Sequence, residues 1–176
     1  MTVDSMGEPR IRAATEHDIP ALVHLFEELA GLQEQWRVFA PRPGLREEMR
    51  RRYQADLLDP DAHLVVAEQD GEIIGMAAGH VHKPSLFSEE LAVELASVFV
   101  RPEHRERGVA AALTADVAGF ARKRRVGRIT LKTFAQNEEA LAAWYRLGFE
   151  PRMIQLTARV EDLDRIDAPD RRRSGA

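Results

Sequence analysis

Apolar positions along the chain follow two periods, one helical and one alternating, and the switch between them sets the element order. Ile19, Leu22, Val23, Phe26 and Leu29 recur at helical spacing and predict a first helix. Thr15-Glu16-His17-Asp18 resembles a capping box at its start, and Gly31 is expected to end it. A second helix is expected from about Leu45 to Leu58, charged on most faces and closed by Asp59-Pro60-Asp61. Val109, Leu113, Val117 and Phe120 form an apolar stripe that predicts a third helix, to about Arg122. Asn137 reads as an N-cap with Glu138 and Glu139 in the first turn of a fourth, which Leu141, Trp144, Tyr145 and Leu147 line and Gly148 ends.

Strand patterns fill the gaps. They cover Ile11–Ala13, His63–Glu68, Ile73–Val81, Leu91–Val100, Arg128–Phe134 and a last segment of roughly Arg152–Val160. Asp70-Gly71 between the second and third strands predicts a hairpin turn. Gly75 and Gly79 inside the third strand mark a bulge or a close backbone approach. Two stretches lack a period and read as loops, Gln33–Gly44 and His82–Glu90. The expected order is β-α-α-β-β-β-α-β-α-β. Its strand–helix–strand unit requires a parallel pair, and helices are expected on both faces of a mixed sheet.

Length and composition narrow this picture. The 176 residues fit one domain with one core. We expect a flexible leader over residues 1–9, a folded domain over 10–160 and a disordered charged tail over 161–176. The longest apolar runs fall far short of the roughly 20 residues that span a bilayer, and the first residues do not read as a signal peptide. The chain has no cysteine, which excludes disulfides, thiolate metal sites and a cysteine nucleophile, and agrees with a cytoplasmic location. The six histidines show no metal-ligand spacing, so no metal is expected. A net charge of −4 argues against a nucleic-acid partner, although Arg122-Lys123-Arg124-Arg125 is a local basic run. That run also suits a solvated helix end.

The richest chemistry lies from Val98 to Ala110. An apolar strand runs to Val100, Pro102 stops it, and a loop with Arg105 and Arg107 leads through Gly108 into a helix of small residues. Such a loop can cradle an anion. The first helical turn presents unpaired N–H groups, Gly108 removes the Cβ that would block approach, and the arginines add charged donors. Neither a GxxxxGK[ST] nor a GxGxxG string occurs. The string that does occur, Arg105-x-x-Gly108-x-Ala110 after a strand, resembles the acyl-CoA pyrophosphate loop of the GNAT-type N-acetyltransferases. Asn137-x-x-Ala140 followed by Tyr145-x-x-Gly148-Phe149 is similar to that family's closing segment, in the same order.

The resemblance implies an α/β (α+β) fold with a mixed, mostly antiparallel central sheet, a parallel pair at the acyl-CoA site and about four flanking helices. It implies acetyl transfer from acetyl-CoA, as co-substrate, to a primary amine by direct attack. Val98, Phe99 and Val100 would bind the pantetheine arm, and Arg105, Arg107, Gly108, Val109, Ala110 and Ala111 the pyrophosphate. Asn137 would bind CoA, cap a helix, or do both. Tyr145 would protonate the departing thiolate, its other reading being a core ring beside Trp144. Glu94 is the candidate base; it lies at an even spacing from Val100, which by strand alternation puts the two side chains on one face. Its other reading is a solvent-facing glutamate. Ser97, His80 or His82 could relay a proton instead. The acceptor is expected between the two loops, where Glu34, Glu89, Glu90 and Glu94 favour a cationic amine. The family is often dimeric, so a homodimer is among the expected assemblies. The alternative reading is a non-catalytic, regulatory acyl-CoA-binding module, which needs neither Glu94 nor Tyr145.

Overall fold

The computed structural model describes residues 7–36, 42–83 and 91–163. The chain divides into two compact units, Met1–Leu141 and Ala142–Ala176. In order, the elements are β1 (Arg10–Ala13), α1 (Ile19–Gln33), α2 (Leu45–Leu58), β2 (Ala62–Gln69), β3 (Glu72–His82), β4 (Ala92–Val100), α3 (Val109–Lys123), β5 (Ile129–Leu131), α4 (Glu138–Arg146) and α5 (Val160–Leu163). The strands form one five-stranded sheet in the order β1-β2-β3-β4-β5. Three pairings are antiparallel and β4–β5 is parallel, as the sequence pattern requires.

Local signals explain most boundaries. The β2–β3 turn places Asp70 at φ 52 and Gly71 at φ 82, the double left-handed geometry that matches the twist of a two-residue hairpin. Ahead of α1, the Asp18 carboxylate accepts the Thr15 N–H at 2.8 Å and its hydroxyl at 2.9 Å. The same carboxylate takes two hydrogen bonds from the Arg12 guanidinium, at 2.7 and 2.8 Å, so one side chain ties β1 to the start of α1. Arg12 holds the Asp18 carboxyl well below the usual carboxylate range, against the cost of its burial.

Alternation sorts the sheet into two faces. Leu64, Val66, Met76, Ala78 and Phe99 pack with Ile19, Leu22, Leu25, Met49 and Tyr53 of α1 and α2. The opposite face meets α3 closely. A Cβ built on Gly79 would sit 2.8 Å from Val117 Cγ1, and one on Gly75 would sit 3.0 Å from the Phe99 carbonyl oxygen. Both glycines therefore answer to close approach, and both flank irregular registers, at Ala67/Glu68 and at Ala78/Gly79.

Three expectations need correction. Helix α1 continues past Gly31 to Gln33, because Gly31 does not turn into the left-handed conformation that would end it. Strand β5 is shorter than Arg128–Phe134. The expected strand over Arg152–Val160 does not form. Among the described residues no strand pairs with it, and β propensity without a ladder partner does not hold an extended segment. Met153, Ile154 and Leu156 are exposed there. Residues 1–6 of the expected leader and 164–176 of the expected tail lie outside the described residues.

Gly79→Ala should destabilise the protein by about 1–3 kcal/mol, because the new methyl overlaps Val117, and Val117→Ala should relieve part of that cost. A double-mutant cycle from thermal melts checks both. Asp18→Asn should cost about 1–3 kcal/mol at neutral pH. The depressed carboxyl contributes its stability above the ordinary carboxylate range and loses it as pH falls through the folded-state value. The gap between variant and parent in denaturant melts should therefore close in acid.

Candidate active site

The site is organised by one extra residue in β4. Ala78 pairs with Ser97 and Gly79 with Leu95, which leaves Ala96 without a counterpart on β3. The bulge reverses the strand's parity. Before it, the Val93 N–H donates to the Arg128 carbonyl at 2.9 Å, on the β5 side. After it, the Arg101 N–H donates to the Ile74 carbonyl at 3.0 Å, on the β3 side, although the two residues are an even number of positions apart. Alternation then turns the N–H groups of Val98 and Val100 away from β3. The parallel pairing with β5 spans only Val93–Leu95, so these two amides face the edge from which β5 has parted. Phe99 differs: its carbonyl faces β3 beside Gly75, and its ring sits in the core on the α2 side.

The strand runs out into the loop from Pro102 to Gly108. The Arg105 Nε donates to the Val100 carbonyl at 3.0 Å, its guanidinium lies 5.9 Å from the Phe99 ring centroid, and its Nη1 is 3.9 Å from Glu139. Arg105 thus pins the loop to the strand end. Glu106 at φ 61 and Gly108 at φ 78 turn the backbone into α3. The Ala112 N–H is bonded back to the Gly108 carbonyl at 2.9 Å, so the amides of Val109, Ala110 and Ala111 form the first turn, which has no partner within the helix. A Cβ on Gly108 would meet nothing within 4 Å, so the space beside Gly108 itself is open.

On the α2 side of the bulge lies a cavity of about 410 Å³, lined by Tyr53 and Asp56 of α2, His80 and His82 of β3, and Glu94 and Ser97 of β4 among others. His80 Nε2 is 3.0 Å from Asp56 Oδ2, with the two side chains 21% and 12% exposed. Glu94 is engaged at both oxygens, by His82 Nε2 and by Lys132 Nζ at 3.0 Å. Burial opposes its charge, but Lys132 and His82 outweigh burial and hold the carboxyl below its usual range. Burial pushes the Tyr53 phenol up, so it stays protonated.

The Acetyltransferase (GNAT) family model matches residues 10–149. The chain belongs to the GNAT family. It is 35% identical over 86 residues to mouse N-acetyltransferase 8, covering 48% of this chain and 37% of that protein. It is 34% identical over 92 residues to the streptothricin acetyltransferase of Streptomyces lavendulae, covering 52% and 46%. The chain thus spans less than half the length of either relative. In fold it is similar to an aminoglycoside N-acetyltransferase solved with CoA, at a TM-score of 0.70 and 20% identity, covering 90% of this chain and 98% of that one.

Within this GNAT domain, the expected residues separate. Val98, Val100, Gly108, Val109, Ala110 and Ala111 border the parted edge and the helix start. Glu94 lines the cavity, yet not for the reason of parity: the bulge puts Val100 on the α3 face, near Gly75, while Glu94 shares the α2 face. The expectation of one shared face is corrected. Asn137 caps α4, its Oδ1 accepting the Ala140 N–H at 3.1 Å. Tyr145 stands on the part of α4 that belongs to the second unit and is 51% exposed. There Trp144 packs edge-on against Phe149 rather than against Tyr145, at 5.4 Å between ring centroids. In the basic run, Arg124 is bound to Asp61 at 2.7 Å. Glu89, Glu90 and most of the His82–Glu90 loop lie outside the described residues, as do residues 37–41. Asp56 and Tyr53 escaped the sequence reading, because a charged helix offers no signal of which face meets a cavity.

Gly108→Ala should cost about 1–2 kcal/mol through its left-handed backbone alone, since the added methyl meets open space. Thermal melts should show that loss without a change in the folded circular-dichroism spectrum.

Proposed function

We propose that the protein is an N-acetyltransferase that moves the acetyl group of acetyl-CoA onto a primary amine by direct attack. The observation that carries this reading is the parting of β4 from β5 at the Ala96 bulge, with two strand amides turned to the gap and an open helix start beyond it. An amide-bearing arm can add to that edge as a strand would, hydrogen-bonded by Val98 and Val100. The diphosphate of CoA then meets the amides of Gly108 to Ala111, with Arg107 beside them. Arg105 supports the cradle through the Val100 carbonyl.

In the transfer, the amine nitrogen attacks the thioester carbonyl carbon. The N–C bond forms, the C–S bond breaks, and the electron pair leaves on sulfur. A strand amide at the gap stabilises the oxyanion as it forms. Tyr145 protonates the thiolate, a role for which a phenol has suitable acidity. Glu94 receives the proton lost by the amine, directly or through water. Asp56 and Glu94 give the cavity its affinity for a cationic acceptor. The names of two relatives agree, since streptothricin and aminoglycosides are amine-bearing molecules.

Calorimetry with CoA and release of CoA in the presence of amines test this reading. Glu94→Gln and Tyr145→Phe should each lower kcat about a hundredfold while CoA affinity is kept. Absence of CoA binding at high micromolar protein would sink the proposal. Binding of CoA with no turnover of any amine would point instead to a non-catalytic acyl-CoA-binding module.

A further inference from the structure

The cavity contains a second carboxylate–imidazole pair, Asp56 and His80, whose imidazole has no part in the transfer outlined above. His80 and Glu94 are direct partners across the β3–β4 ladder, so their side chains leave the sheet on the same face. One step along β3 on that face is Ala78, which pairs with Ser97 at the bulge, so His80 is the histidine nearer the parted edge. His82 lies farther along and is 58% exposed, against 21% for His80.

Resting on the acetyl-transfer reading, we propose that His80 is the final acceptor of the amine's proton, and that Asp56 is a positioning residue that sets its imidazole. Asp56 Oδ2 lies 3.0 Å from His80 Nε2. A proton on Nε2 donated to Asp56 leaves Nδ1 as the basic nitrogen, and the carboxylate stabilises the imidazolium that forms. Glu94 cannot store the proton well. Both of its oxygens are already bound, one by His82 and one by Lys132, and its carboxyl is held below the usual range. A proton reaching Glu94 therefore passes on. Of the other groups facing His80, Arg52 and Tyr53 come from α2, His82 from β3, and Glu94 and Ser97 from β4. Of these groups, Asp56 is the one hydrogen-bonded to the imidazole. The step balances: the amine loses one proton to His80, Tyr145 gives one to sulfur, and solvent restores both groups.

The test is the pH dependence of acetylation, read as CoA release with spermidine, kanamycin and an unblocked peptide, together with calorimetry of CoA binding. The wild-type kcat/KM should fall on the acid side through a single-proton limb. His80→Gln should lower kcat about a hundredfold and abolish the limb, with CoA affinity unchanged. Asp56→Asn should lower kcat about tenfold and displace the limb; a purely structural tie between α2 and β3 would not displace it. His63→Gln, on the opposite face and bound to Asp116, should leave the profile unchanged. If His80→Gln keeps rate and limb, or if His82→Gln abolishes the limb instead, the assignment fails and the acetyl-transfer reading stands. If the wild type releases no CoA with any of the three amines, both fall.

Discussion

One unpaired residue in one strand determines what this sheet can do. Ala96 has no counterpart on β3, so the backbone of β4 changes parity between Leu95 and Ser97. A regular strand would have offered the same side to β5 along its whole length, and a parallel neighbour would have closed on it. Pairing to β5 stops at Leu95, and beyond the bulge the N–H groups of Val98 and Val100 point to the β5 side. A ladder hydrogen bond contributes only about 1 kcal/mol net, so the sheet gives up little stability by parting there. The sheet keeps its core on both faces, because the residues before and after the bulge still alternate into α3 or into α1 and α2.

The same bulge separates two chemistries that would otherwise compete for space. The loop beyond Val100 and the start of α3 gather backbone donors and cationic side chains. The α2 face gathers Asp56, Glu94 and two histidines. A single strand runs between these two environments of opposite sign. Arg105 holds the Val100 carbonyl and lies over Phe99, so one residue both ties down the loop after β4 and stiffens the strand end.

Much of this was legible in the chain, for reasons that are local. The double left-handed turn at Asp70-Gly71, the Thr15–Asp18 box, the Asn137 cap and the Gly148 stop each rest on a few neighbouring residues, and helix α2 has the bounds its pattern predicts. The loop from Pro102 to Gly108 was legible for the same reason. What escaped was non-local. No alternating pattern reveals that one residue in Ala92–Val100 is extra, so Glu94 and Val100, although evenly spaced, end on opposite faces. Asp56 and His80 are 24 residues apart on different elements, and only packing brings them to 3.0 Å. The segment after Phe149 carries a strand's alternation, but a strand is a property of two chains of atoms, and the pattern of one says nothing of its partner.

Gly79 has a mechanical consequence. It lets Val117 settle directly on β3, and that contact lies roughly 12 Å along the helix axis from Val109, at 1.5 Å per residue. The contact is a fulcrum and the N-terminal half of α3 its lever arm. A tilt of about 5° at the fulcrum displaces the far end by about 1 Å, the scale at which misplacement of a reacting group becomes costly. A missing methyl on the sheet thus sets the contact about which the start of α3, two turns away, would tilt.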